Sequence, residues 1–113
     1  MLIIGERINS TRKPIFRAIE SRDAAYIQNE AKIQTDAGAH YIDINAGAFP
    51  DSEEAGLKWL IDVVQEATAL PLCLDSANPL IIRAVMPFVK RPPMVNSISL
   101  TAATLDILLP VIR

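Results

Sequence analysis

The chain has 113 residues, half of them hydrophobic but only 5% aromatic, with 11 Lys and Arg against 13 Asp and Glu for a net charge of −2. That balance excludes the dense basic surface needed for nucleic acid or an anionic membrane, and the length favours one domain over residues 1–113. A mean hydropathy of +0.25 is too apolar for disorder. Charged residues also interrupt every apolar run before the ~18 residues of a membrane span. Met1-Leu2-Ile3-Ile4-Gly5-Glu6-Arg7 lacks a basic n-region, so no secretory signal is expected. Cys73 has no partner for an internal disulfide, which fits a reducing, cytoplasmic location.

Leu2-Ile3-Ile4 reads as a first strand. Lys13 to Ser21 reads as a short helix opened by Pro14, and Asp23 caps a longer helix that ends at Gly38. Tyr41-Ile42-Asp43-Ile44-Asn45 is the second strand. Behind the capping signal Asp51-Ser52-Glu53-Glu54, Leu57, Leu60, Ile61, Val64 and Ala67 fall on one helix face. Leu70 to Asp75 is the third strand. Asn78-Pro79 then starts a helix with Ile81, Ala84, Val85 and Phe88 in one stripe, which Pro87 should kink or shorten. Met94 to Ile98 is the fourth strand, and Thr101 caps a last helix carrying Leu105, Leu108, Leu109 and Ile112, interrupted at Pro110. Strands alternating with helices predict an α/β fold of about four βα units with parallel strands.

Polar groups gather toward the ends of these strands: Glu6 and Asn9 after the first, Asp43 and Asn45 in the second, Asp75 in the third, Asn96 in the fourth. Asp43 and Asn45 are two apart and share one strand face. Leaving such groups buried and unpaired costs about 1–3 kcal/mol each, so they belong where they meet water, each other or a ligand. In parallel α/β folds the ligand lies at the carboxyl ends of the strands. Asp and Asn at a strand end also close turns and cap helices, and for any one residue that reading is as good; four strands with the same feature favour a ligand. Carboxylates accept and carboxamides both accept and donate, which suits a flat heterocycle with amino, oxo and ring N–H groups. No metal triad, phosphate loop or Ser/His/Asp nucleophile accompanies them, so no bound metal is expected. His40, at the entrance of the second strand, reads as an ordinary surface residue, Cys73 as a buried inert thiol, Trp59 as packing at a helix edge, and Lys90-Arg91-Pro92-Pro93 as a solvated turn.

Gly5-Glu6-Arg7-Ile8-Asn9, Asp43-Ile44-Asn45-Ala46-Gly47, Cys73-Leu74-Asp75-Ser76 and Val95-Asn96-Ser97, in this order and spacing, resemble the pterin-binding methyltransferases that move a methyl group from methyltetrahydrofolate to a corrinoid protein. The resemblance covers nearly the whole chain. It implies half of a TIM (β/α)8 barrel, since the full barrel takes ~250 residues. It further implies that Asp75 and Asn96 hold the pterin, that Asp43 and Asn45 shape the cavity, and that Glu6 and Asn9 stand at its mouth. Methyltetrahydrofolate would be the substrate, and cobalamin would be carried by the corrinoid partner. The family's second pterin-anchoring Asp and its N5-side group come from later strands, beyond Arg113, so these 113 residues alone are expected to be inactive. Dihydropteroate synthase shares the barrel, but its usual Asn-x-Thr-Pro-Asp-Ser-Phe-like run is replaced here by Asn9-Ser10-Thr11-Arg12. A half barrel also leaves open strand edges, which implies a homo-oligomer, or a non-catalytic module that associates with itself.

Overall fold

A computed structural model describes residues 2–96 of the chain. The elements run β1 (Ile4–Asn9), α1 (Lys13–Ser21), α2 (Ala24–Asp36), β2 (Tyr41–Asn45), α3 (Glu53–Ala67), β3 (Leu72–Asp75), α4 (Pro79–Val85), a 3₁₀ turn (Met86–Phe88) and β4 (Met94–Asn96). The four strands form one parallel sheet in the order β1-β2-β3-β4. With sequential order and right-handed crossovers, the helices fall on the same side of the sheet. Ser97 and Ile98 of the expected fourth strand, and the expected helix from Thr101, lie outside the described residues.

Local chemistry fixes most boundaries. Pro14 opens α1, whose chain reverses at Arg22 in a left-handed conformation (φ 56°). The Asp23 carboxylate accepts from the Tyr26 N–H at 3.2 Å and starts α2. Gly38 follows that helix at φ 97°, a conformation that favours glycine. The Asn78 side chain accepts from the Leu80 N–H at 3.0 Å and caps α4, which stops at Val85 as Pro87 demands. Ser52 stands at the N-cap of α3 as its sequence suggests, yet its side chain makes no capping bond. Glu53 is instead committed to Ser76, whose hydroxyl donates to Oε2 at 2.8 Å.

The first strand departs from the sequence expectation. It starts at Ile4 and runs on through Glu6 to Asn9, in a stretch whose polar residues read as a turn. The chain there stays paired with β2 across an irregularity between Gly5 and Ile8. The third strand starts at Leu72, two residues later than expected.

Alternation divides the sheet into two faces. Ile42, Ile44, Leu72 and Leu74 are buried together with Ile27 and Ala31 of α2, Leu57, Leu60, Ile61 and Val64 of α3, and Ile82 and Val85 of α4. Each large aliphatic side chain so buried contributes about 1.5–3 kcal/mol. This one-sided core leaves the opposite face of the strands free for polar side chains.

Candidate functional site

The sheet register places the polar residues in two layers on the face away from the helices. Asn9 pairs with Asn45, Asn45 with Asp75, and Asp75 with Asn96, so four of the six expected site residues stand abreast at the carboxyl ends of four adjacent strands. One layer deeper, Asp43 is opposite Cys73, and Cys73 opposite Met94. Glu6 belongs to this deeper level, close enough to Asp43 for their charges to interact, and not beside Asn9 at the mouth.

Hydrogen bonds fix the upper row. Asn45 Nδ2 donates to Asp75 Oδ2 at 3.2 Å, while Asn45 Oδ1 accepts from the Ser10 hydroxyl at 2.9 Å and from the Gly47 N–H at 2.8 Å. Ser10 Oγ in turn accepts from the Ala48 N–H at 3.0 Å, joining the loops after β1 and β2. Asn9 Oδ1 accepts from both the N–H and the hydroxyl of Thr11, at 3.0 and 2.8 Å, so its carbonyl closes a local turn. The two asparagines therefore both have structural roles in addition to their places in the row. Asp75 accepts one side-chain bond among the described residues, through Oδ2, and Asn96 is exposed at the outer end of the row.

The deeper layer is electrostatically strained. Asp43 Oδ1 is buried with no hydrogen-bond partner among the described residues. Burial first, and then the charges of Asp75 and Glu6, push the Asp43 carboxyl up to about 6, opposed in part by the Cys73 thiol and the Ile44 N–H. Burial pushes the Cys73 thiol up to about 12, with Asp43 and Asp75 adding to the effect. A thiol so placed stays protonated, as the apolar setting of Cys73 suggests.

Ser10 and Ser76 are the side chains that sequence reasoning passed over. Each follows the last residue of a strand and is buried, and each bonds a residue of a neighbouring loop or helix. The only signal in the sequence is a small hydroxyl directly after Asn9 or Asp75, which is too common to single out. The remaining assignments stand apart from this face. His40 is exposed, its Nδ1 accepting from the Ile3 N–H at 2.8 Å. Trp59 packs at the margin of the core, with the Arg22 guanidinium 5.3 Å from its ring centroid. Lys90 and Arg91 are exposed. A cleft of about 290 Å³ lined by Ile19, Glu20, Arg22, Phe49, Ser52 and Gly56 contains no residue of the polar row. Among the described residues, no three His, Cys, Asp or Glu side chains are grouped to hold a metal ion, and no helix is long and apolar enough to cross a membrane.

A carboxylate braced from one side by a carboxamide, with a second carboxamide next to it, can accept from an amino and a ring N–H while donating to an oxo or ring nitrogen. The chain is 47% identical over 110 residues to the methylcorrinoid:tetrahydrofolate methyltransferase of Eubacterium limosum, covering 97% of this chain and 41% of that protein. It is 29% identical over 100 residues to the methionine synthases of Mycobacterium leprae and Mycobacterium tuberculosis, covering 88% of this chain and 8% of each synthase. The chain thus spans about two fifths of the first relative and under a tenth of the others. Residues 5–112 match the family described as pterin binding enzyme, and the chain belongs to that TIM-barrel family, with which its four parallel strands alternating with helices among the described residues are consistent.

Proposed function

We propose that the row Asn9, Asn45, Asp75 and Asn96 binds the pterin ring of a tetrahydrofolate, and that the intact protein transfers a methyl group between the folate N5 and the cobalt of a corrinoid protein. The observation that carries this is the in-register row itself, with Asp75 held by Asn45 so that its carboxylate is oriented before any ligand arrives. Asp75 would accept from the pterin amino and ring N–H groups and Asn96 would satisfy a neighbouring edge atom, with Asp43 and Glu6 setting the field beneath the ring. The chain's contribution is to bind and orient.

From methyltetrahydrofolate to cobalt, the methyl group would leave N5 for the electron pair of Co(I) on the partner, while N5 keeps the pair of the broken bond and takes up a proton. The name of the Eubacterium limosum relative describes the opposite direction. One pterin site serves both, because a catalyst lowers the same barrier each way. The reading includes a corrinoid-carrying partner and a place in one-carbon metabolism in the cytoplasm. For these 113 residues by themselves it also includes self-association through strand edges, since β1 and β4 each pair with one strand among the described residues.

The test is a spectrophotometric assay of the intact protein with methyltetrahydrofolate and cob(I)alamin. Methylcobalamin should accumulate. A parallel incubation with p-aminobenzoate and the pterin pyrophosphate addresses the condensation reaction of the related synthases, and no dihydropteroate should form. Dihydropteroate in the second reaction with no methylcobalamin in the first would replace methyl transfer with condensation.

A further inference from the structure

In β1, Gly5 pairs with Ile42 and Ile8 with Ile44, so Glu6 and Arg7 together face the single residue Asp43. One extra residue on one strand is a β-bulge, and it reverses the phase of everything after it. Strict alternation from Ile4, the partner of Tyr41, would turn Ile8 toward the polar face and Asn9 toward the helices. With the bulge, Ile8 is in the core at 1% exposure and Asn9 pairs with Asn45 in the polar row, while Glu6 remains near Asp43.

A bulge removes an N–H from the ladder, and an unpaired N–H is costly. Here the Arg7 N–H donates to Gln34 Oε1 at 3.1 Å, from a side chain on α2 that is itself only 5% exposed. Gln34 Nε2 donates to the Glu30 carbonyl at 3.3 Å, which orients the amide. The Arg7 carbonyl accepts from Arg12 Nη1 at 2.6 Å, and the Arg7 guanidinium pairs with Glu30 at 2.7 Å. Gly5 makes room for this arrangement, because a Cβ there would collide with Gln34 Oε1 and lie 2.8 Å from its Cδ.

We propose that Gln34, outside the polar row, is a positioning residue whose amide oxygen holds the β1 bulge and thereby sets both Asn9 in the upper row and Glu6 beside Asp43. The ligand part of this inference rests on the pterin reading; the geometric part does not. Gln34→Met keeps the size of the side chain and removes the acceptor, whereas Gln34→Glu keeps an acceptor. In the intact protein without ligand, carbon-detected NMR titration of the Asp43 carboxyl reads the position of Glu6, whose negative charge helps raise the Asp43 pKa. In Gln34→Met the Asp43 midpoint should fall by roughly half a pH unit or more as Glu6 moves away. Gln34→Glu should restore it. A loss of overall stability alone would not move that midpoint. Methyltetrahydrofolate affinity should fall about fivefold in Gln34→Met through displacement of Asn9, the loss of about one hydrogen bond. An unchanged Asp43 midpoint in folded Gln34→Met overturns the proposal. Should Gln34→Met not fold, Gln34→Ala removes the same acceptor without adding an apolar side chain, and an unchanged midpoint there overturns it equally. If the wild-type protein binds no methyltetrahydrofolate, the pterin reading fails while the titration still decides the role of Gln34.

Discussion

Asn45 Nδ2 reaches across the β2–β3 ladder to Asp75 Oδ2 at 3.2 Å, and the same side chain binds the loops after β1 and β2 through Oδ1. One carboxamide thus braces the proposed ligand-binding carboxylate and closes the top of two βα units. Asn45→Ala removes all three bonds, and it should cost about 1–3 kcal/mol of stability in urea unfolding. Asn45→Asp should be worse at neutral pH than at pH 5, because it sets a second carboxylate against Asp75. A cost below about 0.5 kcal/mol for Asn45→Ala would show that the bonds do not brace the row.

The raised pKa of Asp43 makes stability depend on pH. Its carboxyl titrates near 6 in the folded protein against 3.8 ordinarily, so between those values the folded state holds more protons than the unfolded state. Stability from this group therefore falls as pH rises from about 4 through about 6. Allowing for solvent screening of a partly exposed side chain, the loss is about 1 kcal/mol. Asp43→Asn should flatten this dependence and stabilise the protein at pH 7. Identical pH profiles for variant and wild type would contradict the burial of Asp43 beneath the row.

Two glycines should fail for different reasons. Gly38 has open space around it, but its φ of 97° strains any Cβ-bearing residue, so Gly38→Ala should cost about 1 kcal/mol. Gly5 has no positive φ requirement, but a methyl group there meets Gln34, so Gly5→Ala should cost about 1–3 kcal/mol. Thermal unfolding measures both. Adding Gln34→Ala should relieve the steric part of the Gly5→Ala loss and none of the Gly38→Ala loss.

Leu60 is fully buried between α3 and the sheet, and Leu60→Ala should cost about 2–5 kcal/mol. Leu80, 59% exposed on α4, should tolerate the same change to within about 0.5 kcal/mol. Chemical denaturation of the two variants provides the comparison, and equal losses would contradict the stripe assignment.

Helices were legible where a cap or proline marks them: Pro14, Asp23, Gly38 and Asn78 each stand where the backbone needs them. The third helix was legible from Leu57, Leu60, Ile61 and Val64, even though Ser52 makes no capping bond. The polar row was legible as a repeated strand-end pattern, because parallel register aligns the strand ends. The β1 bulge was not. Gly5-Glu6-Arg7 has no apolar alternation, and the partners that hold it, Gln34 and Arg12, lie on α2 and in the β1–α1 loop. Asn9 shows the limit in the other direction: its carbonyl closes a local turn while its register places it in the row, and the sequence offers the same letter for either role.

The most direct measurement is calorimetric titration of methyltetrahydrofolate into the intact protein, its Asp75→Ala variant and its Asn96→Ala variant, with folding of each checked by circular dichroism. Saturable binding to the wild type is expected, weakened by about 1–3 kcal/mol, or about 5- to 150-fold, in each variant, because each loses a partner of the buried pterin edge. Affinity unchanged in both folded variants would contradict the assignment of the row as the pterin site.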